Sequence, residues 1–174
     1  LLRWQHVAPN AQLVGRRGLL EAIGQLQGFE APAVAWEGSL LQARVTGYQS
    51  SWLDELCLAG EVVWGRLTLR PGNGENGGRA QPSRATPVTL ALRRDLPWLL
   101  AAARGDKRPN EPAGGAAQEV LGVLRRRGAL FLSDLIALTR RLPSEVEGAL
   151  WELVAGGMVT SDGFQPLRSL LAGS

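Results

Sequence analysis

The chain has 174 residues, 45% of them hydrophobic, and a net charge of +3; it can build real cores, and its length suits one medium domain or two small ones. A single cysteine, Cys57, excludes an intramolecular disulfide framework, and with a single histidine, His6, no Cys/His metal cluster can be assembled. No apolar run reaches the roughly 18 residues that span a bilayer, and the Leu1-Leu2-Arg3-Trp4 start carries neither an initiator methionine nor a secretory segment, so a cytoplasmic piece of a longer polypeptide is expected.

The first periodic segment is 16–27, with Leu19, Leu20, Ile23 and Leu26 on one stripe and Gly28 as its stop. Pro32 suits the first turn of a second helix that carries Val34, Trp36, Leu40 and Leu41 toward Val45. Ser50 or Ser51 can cap a third, with Trp52, Leu53, Leu56 and Cys57 facing inward. Residues 62–69 read as a strand rich in β-branched and aromatic side chains. The Pro/Gly/Asn tract 71–87 is expected to be a long loop, with 88–92 returning as the partner strand and 96–104 as a short closing helix. Residues 105–115 read as a linker.

Beyond it, 116–127 predicts a helix stopped by Gly128, 129–132 a short strand, Ser133 a cap for a second helix to about Arg140, and Pro143 the opening of a third. Met158–Ser161 and Phe164–Leu167 flank Asp162-Gly163, a tight-hairpin signal. The segments 52–62 and 149–159 also repeat one another at a fixed offset, matching at Leu53/Leu150, Glu55/Glu152, Leu56/Leu153, Gly60/Gly157 and Val62/Val159. An amphipathic helix stopped by glycine and followed by a β-type segment is how the third helix of a winged-helix domain enters its wing. The expected fold is therefore mostly α with short β-hairpins (α+β), as two tandem winged-helix units: 1–104 with a wing loop at 71–87, and 116–174.

All but one of the 19 basic residues are arginine, Lys107 being the exception; arginine suits phosphate forks, although a GC-rich genome would give the same bias. The clusters are Arg16 and Arg17, Arg93 and Arg94, Arg125, Arg126 and Arg127, and Arg140 and Arg141, with Arg79 and Arg84 on the loop. The third helices offer Asp54, Glu55, Glu145, Glu147 and Glu152, which repel a phosphate backbone, so major-groove readout is not expected. Phosphate contact by arginines at helix ends, with an exposed tryptophan as a stacking platform, remains; ordinary solvated faces are the plainer reading. Gly72-Asn73-Gly74-Glu75-Asn76-Gly77 fits a dinucleotide-loop pattern, but 79–83 cannot supply the helix start it needs. No P-loop and no Ser/His/Asp or Cys/His arrangement is present.

The strings Gln25-Leu26-Gln27-Gly28-Phe29-Glu30-Ala31-Pro32, Trp52-Leu53-Asp54-Glu55-Leu56-Cys57-Leu58-Ala59-Gly60, Asp95-Leu96-Pro97-Trp98-Leu99 and Ser161-Asp162-Gly163-Phe164-Gln165-Pro166-Leu167-Arg168 resemble the large helicase-related family of bacterial DNA helicases, in the winged-helix array that follows its motor. The resemblance implies a share in an ATP-dependent 3′ to 5′ DNA translocase of DNA repair, with ATP and Mg²⁺ held in the motor and no cofactor in this segment. The implied partners are single-stranded or tailed DNA, other domains of the same helicase, and further copies of the chain; no membrane is implied. That array is also similar to bacterial DNA glycosylases in which a Gln-apolar-Gln motif serves catalysis, which makes Gln25 and Gln27 weak catalytic candidates. Contact with DNA, a purely structural or oligomerising role, and a glycosylase-like role all stay open.

Overall fold

A computed structural model describes residues 1–69, 85–112 and 114–172. Most of the expected wing loop, with Arg79, Arg84 and the Gly72–Gly77 pattern, lies outside the described residues. The chain forms two compact units. Their described residues are 1–68, 85–106 and 160–172 in the first, and 69, 107–112 and 114–159 in the second.

The first unit begins with β1 (Leu13–Val14) and α1 (Gly15–Leu26). The i, i+3, i+4 spacing of Leu19, Ala22 and Ile23 puts all three in the core, fully buried. β2 (Ala31–Pro32) leads into α2 (Ala33–Ala35), which widens at once into a π-helical turn at Trp36–Leu40, closed by Leu41 N–H donating to Trp36 carbonyl at 2.9 Å. Trp36 is fully buried, and its indole N–H donates to the Val88 carbonyl. β3 (Val45–Thr46) pairs in parallel with β1. α3 (Ser50–Leu58) buries Leu53, Leu56 and Cys57; its cap position is Gln49 rather than either serine.

β4 (Val62–Gly65) and β5 (Pro87–Leu92) form an antiparallel ladder from Val62–Leu92 to Gly65–Thr89, and β2 adds to the other edge of β5, giving the order β2-β5-β4. A helix, a short strand, two helices and a hairpin in one three-stranded sheet is the winged-helix arrangement. After a 3₁₀ turn at Arg93–Asp95 comes α4 (Leu96–Arg104), with Pro97 in its first turn and Leu99 buried against Leu67 and Ala91. The Arg104 guanidinium donates to the carbonyls of Leu67 and Arg66, while the Glu30 carboxylate accepts from the backbone N–H groups of Leu67 and Thr68. These bonds anchor the chain where it leaves β4.

The second unit holds α5 (Gly115–Arg127), α6 (Leu132–Thr139) and α7 (Pro143–Ala155). They close on Val120, Leu121, Leu135, Val146, Ala149 and Leu153, with Leu150, Met158 and Val159 packed against that core. The expected strand at 129–132 does not form; α6 starts at Leu132, and Asp134, not Ser133, reaches back to accept the Phe131 N–H at 3.3 Å.

The expected hairpin at the end of the chain is also absent. Ser161 makes an antiparallel bridge to Trp64 of β4, and Gln165–Ala172 is a helix, α8, in the first unit. Phe164 and Leu167 are three residues apart and both 1% exposed, a spacing that points two side chains one way on a helix and opposite ways on a strand. The structure is thus α+β, with a winged-helix domain in the first unit and a helical remainder. A second complete winged helix does not appear among the described residues, and residues 160–172, expected in the 116–174 unit, pack with the first.

Candidate nucleic-acid interface

The arginines sort by whether an acid holds them. Arg16, at the start of α1, lies 3.4 Å from Glu55. Arg93 donates to the Gly60 carbonyl and lies 3.4 Å from Asp162. Arg125 forms a two-bond fork with Glu111 at 2.6 and 2.9 Å. Arg141 forks onto Glu119 at 2.7 and 2.8 Å and reaches Glu145 at 3.1 Å. These forks hold the Glu111 and Glu119 carboxyls below their usual range and raise the Arg125 and Arg141 guanidinia above theirs.

Arg17, Arg126, Arg127 and Arg140 are exposed and have no hydrogen bond or ion pair among the described residues, and Arg94, 82% exposed, has only a 3.8 Å approach to Asp95. Arg126 and Arg127 end α5, and Arg140 follows α6 in a left-handed backbone conformation at φ 54°. Both are helix C-termini, where cations are favourable. Of the eleven arginines expected to meet DNA, four therefore keep their charge free among the described residues, Arg94 is exposed but loosely paired with Asp95, four are offset internally, and Arg79 and Arg84 lie outside the described residues.

The acids of the third helix are offset as well, by a residue that charge clustering does not single out. Arg168, on α8, donates to Glu37 at 2.7 and 3.0 Å and to Asp54 at 3.1 and 3.2 Å, and its guanidinium lies 5.7 Å from the Phe164 ring centroid. Tyr48 donates to the same Glu37 carboxylate at 2.6 Å. Burial first, and then that bond, push the Tyr48 phenol well above its ordinary range; the bonds to Glu37 and Asp54 raise Arg168. With Asp54 held by Arg168 and Glu55 by Arg16, α3 presents far less negative charge than its sequence suggests. In α7, Glu145 is held by Arg141.

The two glutamines are occupied within the fold. Gln25 donates to the Trp4 carbonyl at 3.2 Å; Gln27 donates to Asp95 at 2.9 Å and accepts from the Leu92 N–H at 3.1 Å. Cys57 is fully buried, which pushes its thiol up to about 12. Among the described residues no cluster of three or more metal-ligating side chains occurs, and no helix is long and apolar enough to cross a membrane.

Residues 1–90 match the family described as the winged-helix domain of large helicase-related protein, a span that takes in α1, α3, β2, β4 and most of β5. The chain belongs to the large helicase-related family. It is 31% identical, over 98% of its length, to a Lhr helicase/probable uracil glycosylase of Mycolicibacterium smegmatis, and 34% identical, over 92% of its length, to a Lhr helicase/uracil glycosylase of Escherichia coli K12. It spans 10% of the length of each relative, so what those whole proteins do is carried by far more chain than this.

Proposed function

We propose that the chain is a non-catalytic winged-helix module of a DNA repair helicase that contacts DNA phosphates without reading bases, with ATP and Mg²⁺ bound by a motor elsewhere in the protein. The observation that carries this reading is the division among the arginines: Arg17, Arg126, Arg127 and Arg140 stay free at helix ends among the described residues while the acids of α3 are offset internally. Guanidinia on an exposed helix end can meet phosphate oxygens in forks, and α3, short and without a free basic residue of its own, offers little for base edges.

Replacing Arg126, Arg127 and Arg140 together by Glu tests it. Fluorescence anisotropy of a labelled oligonucleotide at two salt concentrations should show affinity falling tenfold or more, as an order-of-magnitude expectation, and the dependence of log K on log salt shrinking by about 0.7 for each single-strand phosphate the variant can no longer neutralise. Unchanged affinity and slope in that variant would defeat the assignment.

A second reading, assembly with other domains or other copies, is favoured by the exposed apolar side chains of the second unit, Phe131 at 81% and Leu142 at 66%. Light scattering beside the DNA titration separates the two. The names of both relatives include a uracil glycosylase; the amides of Gln25 and Gln27 hydrogen-bond within the fold, and the proposed function gives them no catalytic role.

A further inference from the structure

Trp98 lies in the first turn of α4, 55% exposed. Three residues before it, the Asp95 carboxylate accepts from Gln27 Nε2 at 2.9 Å, which ties the start of α4 to the end of α1; that bond first, and then the Trp98 side chain, hold the Asp95 carboxyl below its usual range. The indole thus stands on an anchored turn while much of its apolar surface stays in water, where a flat ligand can cover it.

The surroundings favour a flat, anionic occupant. One turn along α4, Ala101 and Ala102 are exposed and carry only methyl groups, so the helix has no long side chain there to compete for the ring. Phe29, also 55% exposed, lies just past the end of α1. Gln27, two residues before it, bonds Asp95, and a methyl group built on Gly28 would lie 3.4 Å from Leu99 of α4. The two exposed rings therefore flank the joint between α1 and α4. The cation at this joint is Arg94, 82% exposed and 3.8 Å from Asp95, while Asp95 is engaged from the protein side by Gln27. An exposed aromatic face near an exposed, loosely paired guanidinium matches a base and its phosphate.

We propose that Trp98, with Phe29 at the same α1–α4 joint, is a stacking platform for an unpaired base of single-stranded DNA, with Arg94 meeting the adjoining phosphate. Bases inside a duplex are already stacked on each other and have no face to offer, so the platform discriminates single strands from duplex without any sequence preference. This rests on the DNA-contacting role proposed above and specifies the form of DNA.

The test measures anisotropy of labelled oligothymidine and of a blunt duplex of equal length against the chain as it stands and against Trp98→Ala, Trp98→Phe, Phe29→Ala and the charge-reversed triple variant. Trp98→Ala should bind the single strand about tenfold or more weakly with duplex binding unchanged, Trp98→Phe should recover most of the loss, and the salt slope should not move because no charge is removed. Phe29→Ala, which removes no hydrogen bond, gives a smaller loss of the same selectivity and keeps the test alive should Trp98→Ala not fold. If the chain binds neither DNA at low salt, the DNA-contacting role falls and the platform with it. If it binds, and charge reversal weakens it, but both aromatic variants match the parent or weaken both DNA forms equally, the platform alone is overturned; the face then belongs to a protein neighbour.

Discussion

The helix ends at 52–62 and 149–159 show one local device serving two different outcomes. In the first, Ala59 N–H donates to Glu55, Gly60 N–H to Cys57 and Glu61 N–H to Leu56. In the second, Gly156 donates to Glu152, Gly157 to Val154 and Met158 to Leu153, the same three bonds at the same offset, with Gly60 at φ 73° and Gly157 at φ 70°. Leu56 and Leu153 are both buried beneath the turn, although Leu53 is fully buried where Leu150 is only half covered. After the glycine the copies part. Val62 enters β4 and pairs with Leu92, whereas Met158 and Val159 lean on the helical core and form no strand. A helix stop is closed by bonds within six residues and survives any context; a wing needs a second strand, and 165–172 forms a helix instead.

The sharpest way to break this comparison is Phe164→Ala. Phe164 is buried in the first unit, edge-on to Trp64 at 6.1 Å between centroids, so its loss should cost the first unit about 3–5 kcal/mol. Were 164–167 a wing strand of the second unit, the damage would fall there. The Cys57 thiol reports on the first unit, since burial and a value near 12 keep it unreactive at neutral pH until that unit opens. Thiol labelling in denaturant should show Phe164→Ala exposing Cys57 early; labelling that follows the parent curve, with loss of α5–α7 helicity, would restore the two-winged-helix division.

Much of this fold is legible in the sequence where the signal is local. Pro97 and Pro143 open α4 and α7, Gly128 ends α5, and the stripe Leu19, Leu20, Ile23, Leu26 marks α1, although it is Ala22, rather than Leu20 or Leu26, that joins Leu19 and Ile23 in the fully buried core. What could not be read was decided at a distance. β1, β2 and β3 are two residues long, too short for any alternation to register, and exist because Val45, Val88 and their neighbours offer partners. Asp162-Gly163 has hairpin chemistry, yet Gly163 is not among the residues with positive φ, and the i, i+3 pair Phe164 and Leu167 carried the better signal. The site is harder still: an arginine cluster does not reveal that Arg168 will meet Glu37, 131 positions away, or that Arg141 will be occupied while Arg140 beside it is not.

A smaller effect sharpens the equivalence of the two helix stops. Alanine at Gly60 must hold a left-handed conformation, costing roughly 1–2 kcal/mol, and space is not the obstacle, since a methyl there meets nothing nearer than Arg93 Nε at 3.7 Å. Gly157→Ala pays at least the same conformational cost at nearly the same φ. In separate denaturation curves Gly60→Ala should lower the first unit, followed by Cys57 labelling, and Gly157→Ala the second, followed by helix content. A Gly60→Ala variant as stable as its parent would show that the shared bond pattern does not depend on glycine.

The smallest expected effect separates the units by acid. Glu119 accepts two hydrogen bonds from Arg141, which hold its carboxyl below the usual range, beyond the slight opposite push of desolvation. Its folded pKa is therefore lower than its unfolded one, so the pair's contribution is complete above the unfolded value of about 4.3 and is lost as pH falls through the folded value. Both partners are surface groups, and the effect is correspondingly modest. Melting followed through helix content from neutral pH into acid should show Glu119→Gln slightly less stable than the parent at neutral pH and converging with it in acid, while Cys57 protection in the first unit stays level between the two proteins throughout. A constant gap between the two melting curves across that range would mean that the Glu119 fork is not ionically maintained, and that the hold on Arg141 comes from packing and neutral hydrogen bonding in the second unit.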